Sequence, residues 1–221
     1  MKPTTKLKYY PAGSDYSNRL SIVLIINHSE CEPKLVGENL TDIRFHGRGG
    51  QGVVTASRLA AEAALVEDKY VHAFPAFGPE RAGAPIEGFT RISPEAFTLK
   101  TEIHYPDIIV ILDPTLIGTV DLGKGLKEGG VVIANFPGTM DELKSKIGIK
   151  QKAVYHKVDA TKIANEELGR PITNTVMLGA LIKITSIVGL EHVCEATAAR
   201  FPGVIGEKNV KAIKRAFKEV E

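Results

Sequence analysis

The octapeptide "FHGRGGQG", Phe45 to Gly52, runs directly into "VVTASRLAAEAAL", and this junction constrains the fold more than any other feature of the chain. Gly47, Gly49, Gly50 and Gly52 fall within six positions, so the backbone there is free to turn with positive φ and carries no Cβ to hold a neighbour away. The strand "IRF" feeds the loop. After it Ala56, Ala60 and Ala63 recur at helical spacing, small enough to let a helix lie close on a sheet. Strand, glycine turn, helix is how an α/β unit begins.

The rest of the chain keeps that rhythm. "KYVHAF" and "EGFTRIS" read as strands that can pair as a hairpin. "DIIVIL" and "GVVIANF" are continuous apolar runs of the kind buried on both faces of a sheet, and "AVYHKVD" is a further strand. Between them "TLIGTVDLGKGLKEG" reads as a covering helix, "MDELKSKIG" as a helix capped by Thr139, and "ATKIANEELG" as a helix ended by Gly169. Val210, Ile213, Phe217 and Val220 line one face of a closing helix. The fold class expected is α/β, a three-layer α/β/α Rossmann-like domain with a mainly parallel sheet over residues 41–221. Residues 1–40 form an N-terminal extension, in which "LSIVLIIN" reads as a strand.

Ligands in such sheets sit beyond the carboxyl ends of the strands. Three loops are expected to meet there: Gly47–Gly52, Asp113-Pro114-Thr115, and Asn135-Phe136-Pro137-Gly138.

Composition removes several function classes. A formal charge of +2 with no dense basic run argues against a nucleic-acid surface. Cys31 and Cys194 are the only cysteines, short of the four thiolates an iron–sulfur cluster usually takes. "NTVMLGALIKITSIVGL" is apolar nearly all round, but Lys183 interrupts it and it is shorter than the roughly 20 residues of a membrane span, so it reads as a core helix. The first residues lack a secretory signal pattern, and a cytoplasmic location is the simplest expectation.

Unpaired amides at a helix start favour an anion, so Gly47, Gly49, Gly50 and Gly52 are candidate phosphate contacts. Arg48 adds a charge and Gln51 a neutral donor. Gly47-x-Gly49-x-x-Gly52 also matches a dinucleotide fingerprint, with Glu67 or Asp68 about where a ribose-binding acid belongs. Alone, the motif leaves open a phosphate ligand or a tight turn against another polypeptide. His46 reads as a structural histidine rather than a base, and Cys194 as inert packing.

The second loop, "FPAFGPERAGAP", is less generic. Pro75, Pro79 and Pro85 stiffen it, and Phe77, Gly78 and Arg81 offer a ring, a close approach and a charge. "GRGGQGV" followed by "FPAFGPERAGAP", with "DIIVILDPTL" and "NTVMLGAL" further on, resembles the gamma subunit of 2-oxoacid:ferredoxin oxidoreductases, the pyruvate enzyme among them. The resemblance runs from about Leu40 to the C-terminus.

It implies a non-catalytic subunit of an enzyme that decarboxylates a 2-oxoacid oxidatively to an acyl-coenzyme A and reduces ferredoxin. It further implies alpha, beta and delta partner chains that hold thiamine diphosphate, magnesium and [4Fe-4S] clusters, none of them held by this chain alone. It implies neither a membrane nor a nucleic-acid partner. What falls to this chain is a share of the coenzyme A site, at Gly47, Arg48, Gly49, Gly50, Gln51 and Gly52, with Phe77, Gly78, Arg81 and Asn135 nearby. The family often carries a second basic residue where this chain has Ala82, which weakens the charge role of that loop. Two other readings stay open: an independent Rossmann-type oxidoreductase binding NAD(P) or flavin, and a purely structural subunit whose loops face other chains.

Overall fold

The computed structural model describes residues 39–76 and 83–221. The N-terminal strand expected at Leu20–Asn27 and the tip of the second loop, with Phe77, Gly78 and Arg81, lie outside the described residues.

Strand β1 (Thr41–Arg48) is longer than "IRF" because its whole length pairs with β3, from Thr41↔Ile92 to Arg48↔Pro85. Helix α1 (Val53–Val66) follows, then the hairpin β2 (Tyr70–Pro75) and β3 (Pro85–Ser93). β4 (Ile108–Ile111), β5 (Gly130–Asn135), α2 (Met140–Ile147) and β6 (Ala153–Val158) complete the sheet. The chain ends in α3 (Ala160–Leu168), α4 (Asn174–Thr185), α5 (Leu190–Arg200) and α6 (Val204–Glu219).

The six strands lie in the order β2-β3-β1-β4-β5-β6. β1, β4, β5 and β6 are mutually parallel, while β3 runs antiparallel to both β1 and β2. The expected hairpin is present, and it places an antiparallel strand between β1 and β2.

The pleat divides the core. Ile43, Phe45, Ile108, Val110 and Ile133 point to one face, where α1, α4 and α6 bury them. Ile109, Ile111, Val132 and Ala134 point to the other, under α2 with Leu143 and Ile147. α4 is apolar all round because it is enclosed all round, every residue from Asn174 to Ile182 being buried. Gly179 lets the α6 backbone pass against it, since a Cβ there would strike the Ile213 carbonyl. Ile213 and Ala216 of α6 face inward, with Val210, Phe217 and Val220 partly buried beside them, as its periodicity predicts. No helix among the described residues is long and apolar enough to cross a membrane.

One element differs from expectation. "TLIGTVDLGKGLKEG" forms a 3₁₀ turn, Pro114–Leu116, followed by further turns, and not a helix. Gly118, Gly125 and Gly129 take φ of 80°, 73° and 76°, which a right-handed helix cannot contain. The segment still covers the second face through Leu116, Leu122 and Leu126. Arg44 donates to the Leu122 and Lys124 carbonyls and so satisfies groups a helix would have paired internally.

Candidate functional site

The connection after β1 crosses one face of the sheet as α1, and the connection after β4 crosses the other as residues 114–126. The carboxyl ends of β1 and β4 are therefore a topological switch point, where an α/β sheet opens a crevice. The glycine loop forms one wall and Asp113-Pro114-Thr115 the other. Nearby, an open cleft of about 430 Å³ is lined by Pro114, Pro137, Asp159, Thr161, Lys162, Asn165 and Glu166.

The loop is fixed from within and from both sides. The Gln51 amide donates to the Arg48 carbonyl, and the Arg48 amide donates to Gln51 Oε1 at 2.8 Å. Gln51 Nε2 donates to Asp113 Oδ2 at 2.6 Å. The Gly49 amide donates to the Ala84 carbonyl, and the Gly83 amide returns a bond to the Gly49 carbonyl. Thus the shoulder of the second loop is stitched to the first, although the two lie more than thirty residues apart. Arg48 spans the junction: its Nε donates to Thr115 Oγ1 at 3.0 Å and lies 3.3 Å from Asp113 Oδ2, while one terminal nitrogen donates to the Gly83 carbonyl.

Gly52, at φ 80°, is the N-cap of α1, and a Cβ on it would strike the Asn174 side-chain amide at the start of α4. Gly47 is equally confined, since its Cβ would come 2.5 Å from Val53 Cγ2. Gly50, at φ 93°, is the opposite case: a Cβ there would meet nothing within 4 Å. No side chain caps α1 and its first turn holds no acid, so the leading amides of that helix are left to solvent or a ligand.

The electrostatics come from three buried groups. Burial by itself would raise the pKa of Asp113. Hydrogen bonds from Thr115 and Gln51 and the charge of Arg48 outweigh that and hold the carboxylate below its ordinary range. His46 is pushed down to about 3, first by burial and then by the charge of Arg44. Its Nε2 accepts from Arg44 Nε at 3.0 Å, so no lone pair remains for general-base work and the residue is structural. Cys194 is 5% exposed with its thiol pushed up by burial, which suits packing rather than reaction.

The structure therefore brings Gly47, Arg48, Gly49, Gly50, Gln51 and Gly52 to the crevice, as the sequence led us to expect. Asn135 is placed beneath it. Its two amide hydrogens go to the Leu112 carbonyl and Thr161 Oγ1, and its Oδ1 accepts from the Thr161 amide. At 1% exposure Asn135 braces the strand end and the start of α3 rather than presenting a group to the crevice. Glu67 is no ribose acid. It sits at the far end of α1, about 20 Å from the loop at 1.5 Å per residue, engaged with Lys69, His192 and the Gly189 amide.

Sequence reasoning missed the polar row on β1. Asp42, Arg44 and His46 alternate along the strand and face away from the Ile43–Phe45 side, paired with Arg91, the 121–126 segment and Glu87. The period-two alternation in "DIRFHGR" carries that signal, masked by the expectation that a central strand is apolar on both faces.

A family model described as pyruvate ferredoxin/flavodoxin oxidoreductase matches residues 42–219. The pyruvate/ketoisovalerate oxidoreductases common subunit gamma of Thermococcus litoralis is 53% identical over 180 residues, covering 81% of this chain and 97% of that one. Among solved structures, pyruvate oxidoreductase subunit PORC of Thermotoga maritima superimposes with a TM-score of 0.74 at 39% identity, covering 83% of this chain and 98% of that one. The keto/oxoacid ferredoxin oxidoreductase gamma subunit of Geobacter sulfurreducens does so with a TM-score of 0.67 at 28% identity, covering 81% and 95%.

Proposed function

Because the chain belongs to the pyruvate ferredoxin/flavodoxin oxidoreductase family, we propose that it is the gamma subunit of a multi-subunit 2-oxoacid:ferredoxin oxidoreductase and supplies part of the coenzyme A site. In the overall reaction a 2-oxoacid, coenzyme A and two oxidised ferredoxins give an acyl-coenzyme A, carbon dioxide, a proton and two reduced ferredoxins. Alpha, beta and delta chains are the proposed partners. Thiamine diphosphate, magnesium and the [4Fe-4S] clusters are assigned to them, in keeping with the two cysteines of this chain. A cytoplasmic location goes with that assembly. Pyruvate is the substrate we favour. The Thermococcus litoralis relative is named as common to a pyruvate and a ketoisovalerate enzyme, which suits a subunit indifferent to the 2-oxoacid side chain.

One observation carries the coenzyme A reading. At the switch point an uncapped, acid-free helix start faces a loop whose Gly50 stands in open space with φ 93°. Such a backbone accepts a pyrophosphate with no side chain in the way. Gly49, Gly50, Gly52 and the first amides of α1 would line it, with Gly47 and Gln51 shaping the loop. Arg48 would lend its remaining guanidinium hydrogens, and we assign Phe77, Gly78 and Arg81 of the second loop to the same coenzyme A site on their sequence motif.

The topology argues against an independent NAD(P) or flavin enzyme. A dinucleotide fold sets a parallel strand with a terminal acid beside the glycine-loop strand. Here the antiparallel β3 fills that place, and Glu67 is at the wrong end of α1.

The test is Gly50→Val, with Gly50→Asn as the companion that tolerates a left-handed backbone better. In the reconstituted enzyme either should raise the KM for coenzyme A while leaving the KM for the 2-oxoacid unchanged. An unaltered coenzyme A dependence in a folded, assembled Gly50→Val enzyme would overturn the reading. Coenzyme A affinity that survives while assembly fails would favour the purely structural subunit.

A further inference from the structure

Asp113 lies two residues beyond β4 at the crevice, is 5% exposed, and caps the Pro114–Leu116 turn with one oxygen while the other turns to the glycine loop. Its Oδ1 accepts from the Thr115 amide at 2.8 Å, and its Oδ2 accepts from Gln51 Nε2 at 2.6 Å with Arg48 Nε 3.3 Å away. Gln51 then passes the constraint on. With its nitrogen committed to Asp113, its oxygen must face the Arg48 amide, which donates to it at 2.8 Å.

An amide side chain has one donor end and one acceptor end, and its partners decide which way it lies. A carboxylate accepts at both oxygens, so only an acid at position 113 suits a backbone donor on one side and Gln51 on the other. Arg48 is held by the same network and carries the tie to Gly83, so this one carboxylate sets the shape of the first loop and its seam with the second.

We infer that Asp113 is the positioning residue of the site: by fixing the amide orientation of Gln51 it holds the Arg48–Gln51 turn closed, with Gly50 presented to coenzyme A. This rests on the coenzyme A reading above.

The inference makes a reciprocal demand. In Asp113→Asn either the Thr115 amide or Gln51 Nε2 faces a second donor, and the turn opens. In Gln51→Glu two carboxylates meet at the partly buried position where Gln51 Nε2 and Asp113 Oδ2 lie 2.6 Å apart. In Gln51→Glu/Asp113→Asn the bonds that link the Thr115 amide, position 113, position 51 and the Arg48 amide are all restored, the central one with reversed polarity, and only the contact of Arg48 Nε with the position-113 side chain is given up. The amide now at position 113 donates to the carboxylate now at position 51. That carboxylate still accepts from the Arg48 amide, and the oxygen of the position-113 side chain still accepts from the Thr115 amide.

The experiment reconstitutes the oxidoreductase with each version of this chain and measures kcat and the KM for coenzyme A. One unsatisfied buried donor corresponds to about tenfold, so Asp113→Asn should raise that KM by about this factor and leave kcat at saturating coenzyme A near the wild-type value. The double variant should recover part of the loss, the remainder being the Arg48 contact with position 113. Gln51→Met, which removes the relay without creating facing donors, should raise the KM without recovery by Asp113→Asn. A double variant no better than Asp113→Asn, or a normal KM in Gln51→Met, would overturn the inference. If Asp113→Asn does not fold, a folded double variant with near-normal KM supports the polarity argument equally. Gly50→Val in the same series separates the two levels: if it leaves coenzyme A dependence unchanged the site itself is misread, whereas a raised KM there with no Gln51–Asp113 coupling refutes the positioning role alone.

Discussion

Replacing His46 by glutamine should flatten the acid dependence of folding, and the size of the effect follows from the burial of one ring. His46 is 4% exposed, with Nε2 accepting from Arg44 Nε and Nδ1 facing Glu87 Oε1 at 3.4 Å. Burial first, and the Arg44 charge second, push its pKa down to about 3, while an unfolded histidine titrates near 6.5. The folded state thus refuses a proton that the unfolded state takes up. The contribution of His46 is complete above pH 6.5 and declines as pH falls toward 3. At pH 5 the loss is about 2 kcal/mol, one and a half pH units at 1.36 kcal/mol each.

Burial also raises Glu87, which works in the opposite sense because its folded form takes up a proton first as pH drops. His72 is lowered by burial and by the charges of Arg91 and Lys100, in the same sense as His46. Both remain in His46→Gln, whose side-chain oxygen can still accept from Arg44, so the comparison isolates the imidazole.

The assay is urea unfolding of the purified chain at pH 7.5 and pH 5, wild type against His46→Gln. Any constant cost of the substitution cancels between the two pH values. The wild type should lose about 2 kcal/mol more than the variant over that interval. Equal losses would refute the neutral, buried histidine and with it the account of the polar row on β1.

The other predictions concern packing, capping and the second loop. Gly179→Ala should destabilise the chain by about 1–3 kcal/mol by forcing α6 away from α4, read from the same urea transitions, because the added methyl meets the Ile213 carbonyl and not a movable side chain. Thr139→Ala should cost about 1 kcal/mol by removing half of the reciprocal Thr139–Glu142 box at the start of α2, with no change in coenzyme A dependence. Arg81→Ala should weaken coenzyme A binding by about tenfold or more if the guanidinium meets an anionic group, and lysine should recover only part of that; normal affinity together with normal assembly would remove Arg81 from the site.

Much of the architecture was legible because it depends on local pattern. The apolar runs at Ile108–Ile111 and Gly130–Asn135, the Thr139 cap, the Gly169 stop and the amphipathic α6 each state their own structure within a few residues. The glycine loop did so too, since only glycines suit φ of 93° and 80° in so short a turn. The family was legible for a related reason: two loops of unusual composition occur at a characteristic separation.

What the sequence could not decide was where residues distant along the chain would meet. The stretch 115–129 reads as a covering helix from its place between two buried strands, but its glycines turn it instead, and Arg44, some eighty residues away, takes up the Leu122 and Lys124 carbonyls. Asn135 looked like a crevice residue, and its environment makes it a brace between Leu112 and Thr161. Asp113 and Gln51, sixty-two residues apart, acquire a shared role only when the parallel pairing of β1 and β4 sets their side chains within 2.6 Å. The chain by itself determined which backbone shapes are possible, because φ, capping and side-chain alternation are short-range sterics. The tertiary structure determined which polar groups are buried together and which end of the Gln51 and Asn135 amides is donor, because burial makes an unmatched hydrogen bond costly and favours the arrangement in which these groups are paired.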